Sequence, residues 1–234
     1  MRFVAADICA SILDDGFGLV EGVFDEDEVS KLSEAVGTKA SASPRKGGVR
    51  DLLELEEIRT LSMSETLGGL VRPILGGAAK VVRATLFDKT DKANWKVPWH
   101  QDVTIAVCRR VETEGFGPWS LKAGVLHVQA PTEVLQKMIS VRVHLDDCPA
   151  VNGALRVIAG SHHLGRMPAD SAGQFLRSGG VITCAMKRGG VLLMRPLLFH
   201  ASSAATVPSH RRVIHFDYAA AELPVGMGWA VDQA

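Results

Sequence analysis

The spacing of apolar residues changes character near residue 80. Before it, "GFGLVEGVF" at 16–24 alternates apolar and small residues with the two-residue period of a short strand. The following "DEDEVSKLSEAV" predicts a helix with Asp25 as N-cap and Glu28 three positions on to close a capping box. The stretch 51–75 has helical spacing through Leu52, Leu53, Leu55, Ile58, Leu61, Met63 and Leu67, and ends near Pro73 and Gly76-Gly77. Between the two helical segments, "SASPRKGGV" at 41–49 reads as a loop.

After Lys80 the chain breaks into short runs rich in β-branched residues: "KVVRATLFDK", "VTIAVCRRV", "GVLHVQA", "MISVRVHLDD", "GALRVIAG", "VITCAMKRGGVLLMRPLLFH" and "RRVIHFDYA". Closely spaced strands with few helices between them predict an antiparallel sandwich or barrel rather than a doubly wound parallel sheet. The expected architecture is mainly β with flanking helices. It forms a single domain over 1–234, helix-rich over 1–79 and with a β core over 80–220. Gly16, Gly18 and Gly22 do not have dinucleotide-binding spacing, and the chain shows no repeat of 20–50 residues.

Composition narrows the function classes. Apolar residues make up 47% of the chain, ample for a core, and 26 Lys and Arg balance 26 Asp and Glu with no basic block. That balance argues against nucleic acid or an anionic membrane as partner. Cys9, Cys108, Cys148 and Cys184 are scattered without metal-ligand spacing, as expected of reduced thiols in a cytoplasmic protein. The first residues meet Asp7, Asp14 and Asp15 too early for a secretory leader, and no apolar run approaches membrane-spanning length.

One motif carries candidate chemistry. In "NWKVPWHQDVTIAV", His100 and Asp102 stand two positions apart, so on an extended strand both face one point while Gln101 faces away. A third ligand is available at His200, 98 positions past Asp102, at the end of "GGVLLMRPLLFH" and before small residues. Two histidines and a carboxylate on one side of a cation form the facial triad of non-haem iron(II), which leaves positions open for a co-substrate and dioxygen. Arg211, eleven positions past His200, has a guanidinium suited to gripping a carboxylate, with Ser202 adding a hydroxyl. Arg212 is its rival, since adjacent strand residues point to opposite faces.

With these residues in order, the chain resembles the phytanoyl-CoA dioxygenase family of iron(II)- and 2-oxoglutarate-dependent oxygenases. The resemblance rests on WHQD at 99–102, "HLDDCPAVNGALRVIAGSHHLG" at 144–165, and H-x-S with an arginine eleven residues after the histidine at 200–211. It implies a double-stranded β-helix, or jelly roll, with His100, Asp102 and His200 as both metal ligands and catalytic centre. Arg211 with Ser202 would hold the distal carboxylate of 2-oxoglutarate, and Arg142 is a further contact to co-substrate or substrate. The implied cofactors are Fe(II), 2-oxoglutarate and O2. The implied reaction is oxidation of an unactivated C–H of a small organic molecule, usually to an alcohol, with release of succinate and CO2. Asp102 argues against a halogenase, where the resemblance would place a small residue. No coenzyme A site is recognisable, so the family name does not describe the substrate.

Other residues take plainer expectations. His162 in "GSHHLG" reads as a structural loop residue, and His144, His163, His210 and His215 as satisfied strand or surface histidines. The segment 112–136 is expected at the mouth of the site, with Trp119, Lys122, His127 and Gln129 either touching substrate or packing an ordinary loop. Two competing readings are a cupin-like metal-dependent isomerase or hydrolase, which has no need of Arg211, and a non-catalytic binding protein with a relic metal site.

Overall fold

The structure, a computed structural model, describes residues 2–42, 48–90, 92–176, 180–207 and 210–233. The capped helix expected after Asp25 is present as α2 (Glu26–Ala42). Its capping box closes with two reciprocal bonds, Asp25 N to Glu28 Oε2 and Glu28 N to Asp25 Oδ1, both 2.9 Å. The helix extends into the start of the expected 41–49 loop, of which 43–47 lie outside the described residues. The helical stretch 51–75 divides into a 3-10 turn at Leu52–Glu54, α3 (Glu56–Ser62) and α4 (Glu65–Leu75), the last capped by the Ser64 hydroxyl. A helix that the periodicity did not announce, α1 (Arg2–Asp14), precedes them and buries Ile8 and Ile12.

Among the described residues, twelve strands form three antiparallel sheets. They are β1 (Phe17–Val20), β2 (Lys80–Lys89), β3 (Val97–His100), β4 (Thr104–Val107), β5 (Trp119–Lys122), β6 (Val125–Gln129), β7 (Met138–His144), β8 (Leu155–Ile158), β9 (Val181–Cys184), β10 (Val191–Met194), β11 (His200–Ser202) and β12 (Arg211–Ala219). The major sheet has the order β1-β10-β7-β12-β2, the minor sheet β3-β11-β8-β9, and β4-β6-β5 form a side sheet. This is the jelly roll that the resemblance implied. The strand nearest the N-terminus, β1, belongs to the major sheet, so the helix-rich part also supplies one edge of the β core.

Alternation along the strands sorts the major sheet into two faces. Ile139, Val141 and Val143 of β7 and Ile214 and Phe216 of β12 point outward and pack on Ile12, Val29, Val36, Ile58, Leu67 and Val71 from the four helices. Each fully buried aliphatic side chain there stabilises the fold by roughly 1.5–3 kcal/mol relative to exposure. Tyr218 ties the layer down by donating its hydroxyl to the Ser62 carbonyl at 2.7 Å. The inner face, starting from the intervening positions, carries Ser140, Arg142, His144, Arg211, His215 and Asp217. Apolar residues of the two sheets, including Phe17, Leu192, Met194, Leu155 and Val157, close one end of the sandwich. The polar side chains line what is left open.

Among the described residues no helix is long and apolar enough to cross a membrane. All four cysteines are free thiols.

Candidate metal centre and co-substrate pocket

A cavity of about 200 Å³ opens between the two sheets, and His100, Asp102 and His200 stand together in its wall. His100 and His200 are register partners across β3 and β11, with ring centroids 4.2 Å apart. Asp102 lies beyond the end of β3 rather than within it, as the spacing argument had assumed; its N–H donates to the Pro196 carbonyl at 2.8 Å. What fixes that turn is Gln101, which faces away as expected. Its amide donates to the carbonyls of Leu197 at 2.6 Å and Gly165 at 2.8 Å and accepts from the Met167 N–H at 2.8 Å.

The three side chains each offer one ligand atom, and these lie within 4.8 Å of one another. His100 Nε2 is 3.6 Å from Asp102 Oδ1 and His200 Nε2 is 3.5 Å from Asp102 Oδ2. In both imidazoles Nδ1 faces a carbonyl two residues upstream, Pro98 at 2.8 Å and Leu198 at 2.9 Å. That contact assigns the proton to Nδ1 and turns the Nε2 lone pair toward the shared point, the arrangement that metal-ligating histidines need. Burial pushes His200 down to about 4, with the Asp102 charge opposing it, so its imidazole is neutral near pH 7. Enclosure works to raise the Asp102 carboxyl, but His200 and His100 hold it well below the usual carboxylate range. A neutral nitrogen donor, an anionic oxygen donor and a second imidazole converging on one point fit a divalent iron.

The same region holds a group of cations that form no salt bridge among the described residues. Arg211 is 4% exposed and donates to the Gly153 carbonyl and, at 3.4 Å, to Ser202 Oγ. Its Nε is buried without a partner, and no salt bridge among the described residues involves it. Arg212 points the other way and forms a two-pronged pair with Asp146, 2.9 Å from Nε and 2.7 Å from Nη2. The structure therefore puts Arg211 in the cavity and its rival outside it. Arg142 also lines the cavity and donates from Nη1 to His215 Nδ1 at 2.9 Å. His215 in turn donates from Nε2 to Asp217 Oδ1 at 3.0 Å. Burial, helped by the charge of Arg211, pushes Arg142 down to about 10.

Lys89 was not singled out in the sequence, yet it is among the largest fully buried side chains of the described residues, at 1% exposure. It is the register partner of Arg211, which brings it to the same face of the sheet. Its ammonium donates to Ser202 Oγ and the Ser203 carbonyl, each at 2.7 Å, and lies 5.6 Å from the centroid of the Trp95 ring. Burial, together with repulsion from Arg211, pushes Lys89 down to about 8. Ser202 completes the group by donating to the Gly153 carbonyl at 2.8 Å. Gly153, from the "NGALRV" stretch, sits at φ +68°, where an added Cβ would meet the Ser203 carbonyl at 2.6 Å and Lys89 Nζ at 3.3 Å. Buried cations that lack an acid carry a desolvation cost, which an anionic ligand removes. The residues present thus fit a dicarboxylate.

The remaining expected residues divide. His215 lines the cavity with both ring nitrogens partnered, and His144 is buried on β7. His162 lies outside this cavity, packed against Gly16 and stacked on His163 with centroids 4.0 Å apart. Trp119 packs into the cluster between the side sheet and the C-terminal segment, and Gln129 accepts from Arg166 at 2.7 Å. Neither lines the cavity. Three cations absent from the expected set line or adjoin it: Lys89, Arg83 and Arg50.

Comparison with known proteins bears on this geometry. Residues 12–213 match the family described as Phytanoyl-CoA dioxygenase (PhyH). The ectoine dioxygenase of Bordetella parapertussis is 25% identical over 257 aligned residues, which cover 92% of this chain and 75% of that protein. SnoK, a non-heme alpha ketoglutarate dependent carbocyclase from nogalamycin biosynthesis, superposes with a TM-score of 0.71 at 16% identity, covering 93% of this chain and 85% of that one. EctD from S. alaskensis, solved with 2-oxoglutarate and 5-hydroxyectoine, gives a TM-score of 0.70 at 20% identity, covering 93% and 76%. At those identities the structures share the fold with this chain.

Proposed function

Because this chain belongs to the phytanoyl-CoA dioxygenase family and is a 2-oxoglutarate-dependent non-haem iron dioxygenase, we propose that it hydroxylates an unactivated C–H of a small organic molecule. In this reading it works as one domain in the cytoplasm. His100, Asp102 and His200 hold the iron, and Arg211, Lys89 and Ser202 hold the distal carboxylate of 2-oxoglutarate. The observation that carries the reading is the convergence of the three ligand atoms within 4.8 Å in one cavity with a buried, acid-free arginine.

Iron with 2-oxoglutarate and dioxygen supplies the oxidising chemistry, with succinate and CO2 as co-products. The chain's own groups do the positioning. The Pro98 and Leu198 carbonyls keep the protons on Nδ1 of the two histidines, so both Nε2 atoms stay free to bind. Arg211 and Lys89 supply charge-assisted hydrogen bonds from a rigid strand pair, which sets the depth at which a diacid stops. Arg142 is held by His215 and by the Phe87 ring, 5.4 Å away, and keeps a fixed positive charge over the space between anchor and metal ligands. Val97, Leu155, Phe87 and Trp95 complete the wall and exclude bulk water.

The test is succinate formation from 2-oxoglutarate with iron(II) and ascorbate. The native chain is expected to release succinate slowly without added substrate, and His200→Ala to release none. Equal succinate from both would overturn the reading.

A further inference from the structure

A second cationic group stands at the opposite end of the cavity from Arg211 and Lys89. Four arginines, Arg50, Arg83, Arg142 and Arg211, line the cavity against a single acid, Asp102, in a chain whose total charge is zero. Arg83 and Lys89 lie six residues apart on β2, so their Cα atoms are separated by about 20 Å. A diacid as short as 2-oxoglutarate, anchored at Arg211, does not reach Arg83. The donors at that end are therefore unused once iron and co-substrate are accounted for.

Each of these cations has donors to spare. Arg83 bonds Asp217 Oδ2 through Nε at 2.6 Å, and Asp217 already accepts from Ser140 and His215. No hydrogen bond among the described residues uses the two terminal nitrogens of Arg83. Arg50 is placed beside β2 by the bridge between Val49 and Leu86, two backbone bonds of 2.8 Å, and forms no salt bridge among the described residues. Lys122, at the tip of the β5–β6 hairpin, likewise forms no salt bridge among the described residues. Partial burial holds the Lys122 ammonium below its ordinary value, as does repulsion from Arg83 and Arg50, with the Asp102 charge opposing. Burial also lowers His127, which feels the same three cations. Like charges that outnumber the acids beside them raise the local potential and favour an anion.

We propose that the primary substrate carries an anionic group, a carboxylate or a phosphate monoester, and that Arg83 and Arg50 bind this group next to the metal ligands. This deepens the proposed function and rests on it for the identity of the site. Arg83 and Arg50 line the same cavity as His100, Asp102 and His200, which places the anchored end close to the metal ligands. The bond to be oxidised then lies within a few atoms of the anionic group. A neutral molecule would leave the terminal nitrogens of Arg83 and the charge of Arg50 without a partner, and selectivity follows from that cost.

The experiment titrates the full chain, loaded anaerobically with manganese(II) and saturating 2-oxoglutarate, with benzoate, phenyl phosphate and benzamide by calorimetry. At least one anion is expected to bind about tenfold or more tightly than benzamide, in line with a charge-assisted contact. Arg50→Ala, which removes a half-buried cavity cation, is expected to weaken that anion several-fold. The affinity of Arg50→Ala for 2-oxoglutarate should move less than twofold. Preference for benzoate identifies a carboxylic acid substrate and preference for phenyl phosphate a phosphate monoester. Three results overturn the proposal: benzamide binding as well as the anions, neither anion binding, or anions that bind only by displacing 2-oxoglutarate. If manganese and 2-oxoglutarate themselves fail to bind, the dioxygenase reading of the site fails instead. The same variant then decides the anion site on the metal-free chain.

Discussion

His100 and His200, a hundred residues apart in the chain, are direct partners across two antiparallel strands, and each turns Nε2 toward the same carboxylate. Their Nδ1 contacts to Pro98 and Leu198 are backbone contacts, so the imidazole orientation is built into the strands themselves. His100→Gln removes the nitrogen donor while keeping a polar side chain of similar reach. We expect iron content after reconstitution to fall by tenfold or more, the scale seen when a ligand or its support is lost. Metal analysis of native and variant chains checks this, and equal iron in both would contradict it.

Arg211 and Arg212 offer a matched pair of substitutions. Arg211→Ala takes away the buried guanidinium from the proposed anchor, and the loss of such a charge-assisted contact costs about 2–5 kcal/mol. KM for 2-oxoglutarate is expected to rise by thirtyfold or more. Arg212→Ala breaks only the pair with Asp146 on the other face. Its KM is expected to stay within twofold of native, while stability drops by about 1 kcal/mol. Steady-state kinetics and urea unfolding separate the two, and a KM effect of equal size in both variants would remove Arg211 from the anchor.

The proposed contact of Lys89 with the co-substrate links affinity to pH. Its ammonium, pushed down to about 8 by burial and by Arg211, is charged below that value and neutral above it. Its help to a bound dianion is thus present below pH 8 and lost as pH rises through it. Affinity of the manganese-loaded chain for 2-oxoglutarate should fall between pH 7 and 9. In Lys89→Met the affinity is weaker at pH 7 and changes less over the same interval. Identical profiles for the two chains would show that Lys89 does not meet the co-substrate.

Acid stability tests the inner face of the major sheet away from the metal. Burial, with Arg142 and Arg211 nearby, holds His144 at about 3, so it stays neutral in the folded chain where the unfolded chain takes a proton. A lowered histidine gives stability that is complete above about 6.5 and is lost as pH falls toward 3. Between pH 7 and 5 this one group removes about 2 kcal/mol from the metal-free chain. His144→Gln should narrow the difference in unfolding free energy between those two pH values by that amount, measured in urea.

Local chemistry explains which parts were legible in the sequence. The Asp25–Glu28 capping box and the strand-rich body depend on neighbours within a few residues, and both appear in the fold as expected. The positions of His100, Asp102, His200, Ser202, Arg142 and Arg211 in one cavity followed from two-residue alternation and from the family resemblance. Asp102 departs from the simple strand argument because β3 stops at His100 and Gln101 clamps the turn from three directions.

Lys89 was invisible for a different reason. A lysine at a strand end ordinarily reads as a solvated edge, and only its register with Arg211 turns it inward. Arg83 and Arg50 were missed likewise, since their roles depend on β2 crossing from the metal end of the cavity to the anchor end. Trp119 and Gln129 were drawn to the mouth by sequence proximity to His100, but the β5–β6 hairpin pairs with β4 and carries them into a separate cluster and a contact with Arg166.

The central claim is a single metal position shared by residues 100, 102 and 200, with the co-substrate reaching from it to Arg211. X-ray data collected across the iron absorption edge from crystals grown anaerobically with iron(II) and 2-oxoglutarate test it most directly. The account predicts one anomalous peak within bonding distance of His100 Nε2, an Asp102 oxygen and His200 Nε2, with a carboxylate of 2-oxoglutarate on the Arg211 guanidinium. A peak bound by other residues, or 2-oxoglutarate lying away from Arg211, would contradict it.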